Sequence, residues 1–216
     1  AFMPRAELAT RAHVVSDHRQ LFVNAALCHN LKDVGEEGRQ VLRGDPMEIA
    51  LVDLGRAMAG DLGDHRRVDE IPFDTDRKRM SVLCETPQGR VLYCKGALET
   101  VLAGCQQIQF DAGLAPLDPA ARTRLLAAQD DMAGAGLRVL AFAYRPLASG
   151  EEAREARLTL CGLAGLEDPP RPEVAPAIER CRAAGIKVIM VTGDHPVTAV
   201  AIAREIGLVR GEQPVV

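Results

Sequence analysis

Apolar residues along this chain recur first at helical spacing, then in short alternating or continuous runs, then at helical spacing again. From Asp17 to about Asn30, Leu21, Phe22, Ala25, Ala26 and Leu27 share one face of a predicted helix that Asp17 is placed to cap. A loop with Gly35, Gly38 and Gly44 follows. Asp45-Pro46 then opens a second helix, with Asp as N-cap and Pro at the first helical position, and Ala59-Gly60 closes it. Residues 68–95 carry strand signals: Val68 to Phe73, Met80 to Glu85 and Arg90 to Lys95, the last two joined into a hairpin by Thr86-Pro87-Gln88-Gly89. Gly96 to Leu102 reads as helix, and Asp118-Pro119 caps another through about Met132. An apolar run from Leu137 to Ala143 and a strand from Leu158 to Leu166 complete this part. The short links make several of these strands antiparallel candidates. The first fifteen residues show no sustained period.

At Glu167-Asp168-Pro169-Pro170-Arg171-Pro172 the texture changes, because three prolines in four residues stop any regular element. Beyond it the expected order is helix (Val174 to Ala184), apolar strand (Ile186 to Val191) and helix (Pro196 to Ile206), the order of a parallel α/β sheet. There are no internal repeats and no low-complexity tract.

Composition narrows the classes. The chain has 216 residues, 47% hydrophobic and 26% charged, enough for a sizeable core. With 26 Lys+Arg against 30 Asp+Glu the net charge is −4, so nothing global points to nucleic acid. No run approaches the roughly 20 apolar residues that cross a bilayer, and the first residues lack a signal-peptide layout. The six cysteines form no CxxC pair and sit mostly in apolar strings, as buried reduced thiols do.

Four places carry candidate chemistry. In Val188-Ile189-Met190-Val191-Thr192-Gly193-Asp194-His195-Pro196 an apolar strand ends at a Pro-started helix, where unpaired N–H groups suit phosphate. Thr192 offers a hydroxyl and Gly193 close backbone approach. Asp194 either holds a magnesium-linked water or caps the helix. In Phe73-Asp74-Thr75-Asp76-Arg77-Lys78-Arg79-Met80-Ser81 one aromatic precedes three cations, so a base can stack on Phe73 while cations face phosphate. Alternation sends some of those cations to opposite sides, and an edge strand guarded by charge is the competing reading. Lys95, before Gly96, either neutralises a phosphate from an apolar neighbourhood or lies in solvent. Arg138, read as a lone Arg in an apolar strand, needs a partner: a nucleotide phosphate or a buried Glu.

In order, these segments resemble the P-type cation-transporting ATPases, in particular the calcium-pump-like class. The carriers are Gly44-Asp45-Pro46-Met47-Glu48-Ile49-Ala50-Leu51, Phe73 through Val82, and Lys95-Gly96-Ala97-Leu98-Glu99. Gly136 through Ala141, Asp168-Pro169-Pro170-Arg171 and Ala184 through Ala203 follow. The resemblance runs from about residue 17 to 208.

The resemblance implies a mixed α/β (α+β) fold: residues 1–166 as a nucleotide-binding domain, an antiparallel sheet flanked by helices, with 1–16 as connector. Residues 167–171 would be a hinge and 172–216 a partial haloacid-dehalogenase-like phosphorylation domain. It implies ATP as ligand, with Mg2+ arriving on the nucleotide. Phe73 would stack on adenine, Glu48 would hydrogen-bond near the purine amino group, and Met80 would lie against the base. Lys78, Lys95 and Gly96 would line the pocket, and Arg138 would reach the phosphates. Asp168 and Arg171 would sit by the ribose and hinge, and Thr192-Gly193-Asp194 would meet the γ-phosphate.

The implied parent is a cation-transporting pump at the cytoplasmic face of a membrane. Its transmembrane, actuator and remaining phosphorylation segments would be partners of this part, and the tail offers a possible oligomer contact. Leu98 and Met47 depart from the family's usual Pro and Thr, beside the contacts. No Asp-Lys-Thr-Gly-Thr and no later Gly-Asp-Gly-x-Asn-Asp occurs in the chain, so these residues are expected to bind nucleotide without forming the aspartyl-phosphate. Two other classes compete. A haloacid-dehalogenase-like phosphatase needs an Asp-x-Asp motif, which is not found ahead of residue 172 in that context. A non-catalytic interaction module would keep the fold without ATP.

Overall fold

The computed structural model describes residues 7, 10, 12–36, 39–110, 113–167, 170–192 and 196–211. The chain divides into two compact units, one of residues 1–126 and 140–164, the other of residues 127–139 and 165–216.

The first unit opens with a short helix α1 (Ala12–Asp17) that has no fully buried residue but packs Val15 against the core, then α2 (Arg19–Leu27). Asp17 ends α1 rather than capping the helix after it. His18 takes the N-cap position of α2, and its side chain does not cap the helix. A two-stranded antiparallel ribbon, β1 (Lys32–Glu36) and β2 (Arg39–Arg43), occupies the stretch expected as loop. Helix α3 (Pro46–Ala59) begins where the sequence indicates: the Asp45 carboxylate accepts from the Met47 N–H at 2.7 Å, and Gly60 closes the helix. Gly55 lets α3 lie against α2, because a Cβ there would stand 2.4 Å from the Ala26 nitrogen and 2.6 Å from the Phe22 oxygen.

The sheet follows. Strands β3 (Arg66–Asp74), β4 (Arg79–Thr86) and β5 (Gly89–Gly96) lead to α4 (Leu98–Gly104), β6 (Cys105–Phe110) and β7 (Gly113–Pro116). Helix α5 (Pro119–Gly134), β8 (Arg138–Leu147) and β9 (Leu158–Leu166) complete it. The spatial order is β3-β4-β5-β8-β9-β6-β7. Neighbours pair antiparallel across β3/β4, β4/β5, β5/β8 and β6/β7, whereas β6 and β9 run parallel. The β4–β5 hairpin closes with Thr86 opposite Gly89. The fold is thus mixed α/β on a mostly antiparallel seven-stranded sheet.

Both faces of the central strands are covered, so β4 reads as a continuous apolar run rather than a strict alternation. One face packs Met80, Val82, Cys84 and Tyr93 against Phe22, Val23 and Cys28 of the α2 segment and Ala59 of α3. The opposite face packs Leu83, Leu92, Cys94, Ala141, Ala143, Leu158 and Leu160 with Leu98, Val101 and Leu102 of α4. At roughly 1.5–3 kcal/mol per fully buried large side chain, these two layers supply the main driving force for the unit.

The second unit contains α6 (Val174–Ala183) and α7 (Pro196–Glu205), close to the expected helices. The expected strand Ile186–Val191 is corrected: these residues lie outside any strand, with Ile189 72% and Val191 92% exposed. Apolar, β-branched sequence favours a strand only when a neighbouring strand accepts its backbone hydrogen bonds; here the Ile186 N–H donates back to the Cys181 carbonyl at 2.8 Å and no ladder forms among the described residues. Among the described residues no helix is long and apolar enough to cross a membrane.

Candidate functional site

Three motifs separated by up to about fifty residues meet at one end of the β4–β5 hairpin in the first unit. Lys95, near the end of β5, is buried, and its ammonium pairs with the carboxylate of Glu48 in the first turn of α3. Solvent is the competing reading for Lys95, and burial excludes it. An unpaired buried ammonium is costly, so Glu48 is what allows Lys95 to be charged there.

Antiparallel register sets its neighbours. Met80 of β4 and Phe142 of β8 stand directly opposite Lys95, one on each side, and both are buried. Across β3/β4 the register shifts between Ile71, opposite Ser81, and Asp74, opposite Arg79, so Pro72 and Phe73 together face Met80. Alternation back from Asp74 puts Phe73 on the Met80 and Lys95 side of the sheet. Phe73 is 55% exposed, which excludes a core role for it. An exposed ring, a thioether-bearing side chain and a buried ammonium therefore share one row that runs inward from the edge strand β3.

Gly96 explains how the next motif fits. A Cβ there would stand 2.3 Å from the Lys78 carbonyl oxygen and 2.5 Å from the Arg79 Cβ, so only glycine permits this crossing. The Ala97 N–H donates to that Lys78 oxygen at 2.9 Å, and the Lys78 N–H donates to the Asp74 oxygen at 2.7 Å. Lys78 itself is exposed, with φ 49° in the left-handed region.

The other two cations of the run are committed elsewhere. Arg77 donates to Glu155 Oε2 at 2.6 Å and Arg79 Nε to the same oxygen at 2.7 Å, while the Ser81 hydroxyl donates to Oε1 at 2.8 Å. Burial raises the Glu155 pKa, but these three donors together outweigh it and hold the carboxyl below its ordinary value. Glu155 was not anticipated from sequence. It lies in Glu151-Glu152-Ala153-Arg154-Glu155-Ala156-Arg157, where nothing separates a buried carboxylate from solvated neighbours.

His29, after α2, belongs to the same neighbourhood. Its pKa is lowered to about 4 by burial first, then by the Arg67, Lys95 and Arg56 charges. Its Nδ1 accepts from the Leu31 N–H at 3.2 Å, as a neutral ring does.

The family model for the P-type ATPase cytoplasmic domain N matches residues 17–173, most of the chain and all of the row just described. The chain belongs to this family. Among relatives of this P-type ATPase domain, a calcium-transporting ATPase of Bacillus subtilis is 38% identical over 206 residues, covering 90% of this chain and 23% of its own length. Calcium-transporting ATPase 1 of Lactococcus lactis is 32% identical over 216 residues, covering 96% and 24%. A sodium/potassium exporting P-type ATPase of Schizosaccharomyces pombe is 38% identical over 203 residues, covering 88% and 19%. The chain therefore spans about a quarter or less of the length of the relatives it matches.

The remaining expected site residues of this domain-N chain fall in the second unit. Arg138 is the first residue of β8 and is exposed, so it needs no buried partner, contrary to the expectation for an Arg inside an apolar strand. Arg171 and Thr192 are exposed as well. Asp168, Gly193 and Asp194 lie outside the described residues.

Proposed function

We infer that this chain binds ATP for a P-type cation-transporting ATPase of the calcium-pump-like class. The row of Phe73, Met80 and Lys95, with Glu48 beside it, is the observation that carries this reading. An exposed aromatic ring gives a base a stacking surface worth roughly 1–3 kcal/mol. A buried ammonium near that ring is a point charge suited to phosphate, and the exposed Lys78 adds a second cation at the turn. Glu48 neutralises Lys95 in the free protein and is an acceptor for a purine amino group. Binding would exchange one partner of Lys95 for another rather than create a charge in an apolar site.

Mg2+ belongs, in this reading, to the nucleotide phosphates; among the described residues no group of three or more His, Cys, Asp or Glu side chains is gathered for a metal ion. By resemblance alone, the proposal extends to Arg138, Thr192, Gly193 and Asp194 as phosphate contacts and to Asp168 and Arg171 near the ribose. It also extends to the division into a nucleotide-binding domain (1–166), a hinge (167–171) and part of a phosphorylation domain (172–216). The aspartate that would accept phosphate is not among these 216 residues, so the proposed role here is binding, with transport belonging to the longer pump.

One stacked ring and two cations must offset the translational and rotational freedom lost on binding, which leaves a Kd on the order of a millimolar, about −4 kcal/mol. Calorimetric titration with ATP tests it, with GTP and Phe73→Ala as controls. ATP-preferring heat that disappears in Phe73→Ala is the expected result. A folded wild type silent at millimolar ATP overturns the reading and favours the non-catalytic interaction module.

A further inference from the structure

Glu155 lies more than seventy residues from the turn that carries Phe73 and Lys78, yet its side chain, 7% exposed, sits under that turn. We propose that Glu155 is a positioning residue for the nucleotide site, holding the 73–81 turn from the opposite face of the sheet so that Phe73 and Lys78 face the ligand. The proposal rests on the nucleotide reading above.

The geometry is that of a single anchor with three lines. Arg77 reaches Glu155 with one terminal nitrogen and with the other donates to the Pro72 carbonyl at 2.6 Å, tying the residue before Phe73 to the anchor. Arg79 reaches it through Nε and with a terminal nitrogen donates to the Thr100 carbonyl at 2.9 Å, in the helix that follows Lys95-Gly96-Ala97. Ser81 closes the set from the next position on that face. Lys78 lies between two arginines that converge on one carboxylate. An L-residue in the left-handed region is sterically disfavoured and persists only where its surroundings hold it; here Arg77 and Arg79 hold both sides. Two of the three consecutive cations thus serve to aim the third.

A carboxylate is needed because neutral amides accept less strongly and offer one oxygen rather than two. Glu155→Gln keeps the size and one acceptor; Glu155→Asp keeps the charge but shortens the reach. Neither residue change touches the apolar layers of the core.

The test uses the whole 216-residue chain and two readouts. Amide hydrogen exchange without nucleotide follows the turn. We expect the Lys78 and Ala97 amides of Glu155→Gln to exchange at least about ten-fold faster, with Val82 and Leu92 in the core unchanged. ATP titration of wild type, Glu155→Gln, Lys78→Ala and the double variant follows the site. The expected result is about a ten-fold loss for Glu155→Gln alone and a clearly smaller loss when Lys78→Ala is already present, the remainder acting through Phe73. Unchanged turn exchange in Glu155→Gln overturns the proposal, as does an equal fold-loss in both backgrounds, which is what general destabilisation gives. Global loss of protection in Glu155→Gln moves the same comparison to Glu155→Asp, with the same two overturning results. A wild type that does not bind ATP overturns the nucleotide reading and this role with it, even where the variant loosens the turn.

Discussion

Gly96 and Lys78 cross so closely that the Lys78 carbonyl oxygen occupies the place of any side chain at position 96, 2.3 Å from where a Cβ would be. The obstacle is backbone on one side and the Arg79 Cα and Cβ on the other, none of which can swing away as a long side chain can. Gly96→Ala must therefore move the β4 end away from β5, breaking the Ala97 N–H to Lys78 hydrogen bond. The expected cost is roughly 2–3 kcal/mol, read as a lower urea midpoint at unchanged slope, with loss of ATP binding out of proportion to it.

Glu48 and Lys95 form a buried pair whose halves are unequal in consequence. Removing Glu48 strands an ammonium in an apolar layer between Met80 and Phe142. Glu48 keeps some solvent contact, so the cost of Glu48→Leu is about 2–3 kcal/mol, somewhat below that of a fully buried pair. Lys95→Met in the same chain removes the stranded charge and fills the same space. The double variant is expected to be more stable than Glu48→Leu alone while binding no ATP. Urea unfolding of the two single variants and the double variant measures this coupling, and additivity would refute it.

The parts of the fold with local chemical signatures were readable in the sequence. Asp45-Pro46 and Asp118-Pro119 start helices where expected, the Asp118 carboxylate accepting from the Ala121 N–H at 2.6 Å. Thr86 to Gly89 turns the hairpin, and β9 keeps its expected bounds, because an apolar run between breakers admits little else. What was missed depends on pairing between distant segments. The β1–β2 ribbon and strands β6 and β7 are short and mixed in polarity, so neither period shows. Ile186–Val191 errs the other way, a strand-like composition with no strand formed. Of the site, Phe73, Met80, Lys95, Gly96 and Glu48 were legible as motifs, but their common row follows from register and a bulge that no motif encodes. Glu155 carried no signal, since a buried glutamate is defined by its donors, and those lie more than seventy residues away.

The thiols divide by burial. Cys28, Cys84, Cys94, Cys105 and Cys161 are buried, and only Cys181 has partial access to solvent. Burial pushes the Cys84 and Cys94 thiols up to about 11 and Cys105 to about 12, and it pushes Cys28 and Cys161 upward as well. The thiolate is the reactive form, so at mildly alkaline pH these five stay inert while folded. A disulfide reagent should titrate one thiol rapidly in the native protein and six after denaturation. Two or more fast thiols would mean that the sheet opens locally.

His29 sets a pH window for stability. In the unfolded chain it takes up a proton near the ordinary 6.5, but in the folded protein burial and the Arg67, Lys95 and Arg56 charges delay this to about 4. Between those values the unfolded state binds more protons than the native state, so stability falls as pH drops from about 6.5 towards about 4 and is flat, for this group, below that. The ring keeps partial contact with solvent, which reduces the effect to about 1–2 kcal/mol. Glu155 acts in the same direction at lower pH, because its carboxyl is held below the ordinary value and its stabilisation is lost as it protonates. The two are separable by substitution. Urea midpoints of wild type should decline between about pH 7 and about pH 4.5, and His29→Gln should flatten that decline. Glu155→Gln should leave the upper part of the slope intact and remove only its acid end. Parallel curves for wild type and His29→Gln would show that His29 is hydrated in the folded protein and that its neighbours' charges do not reach it.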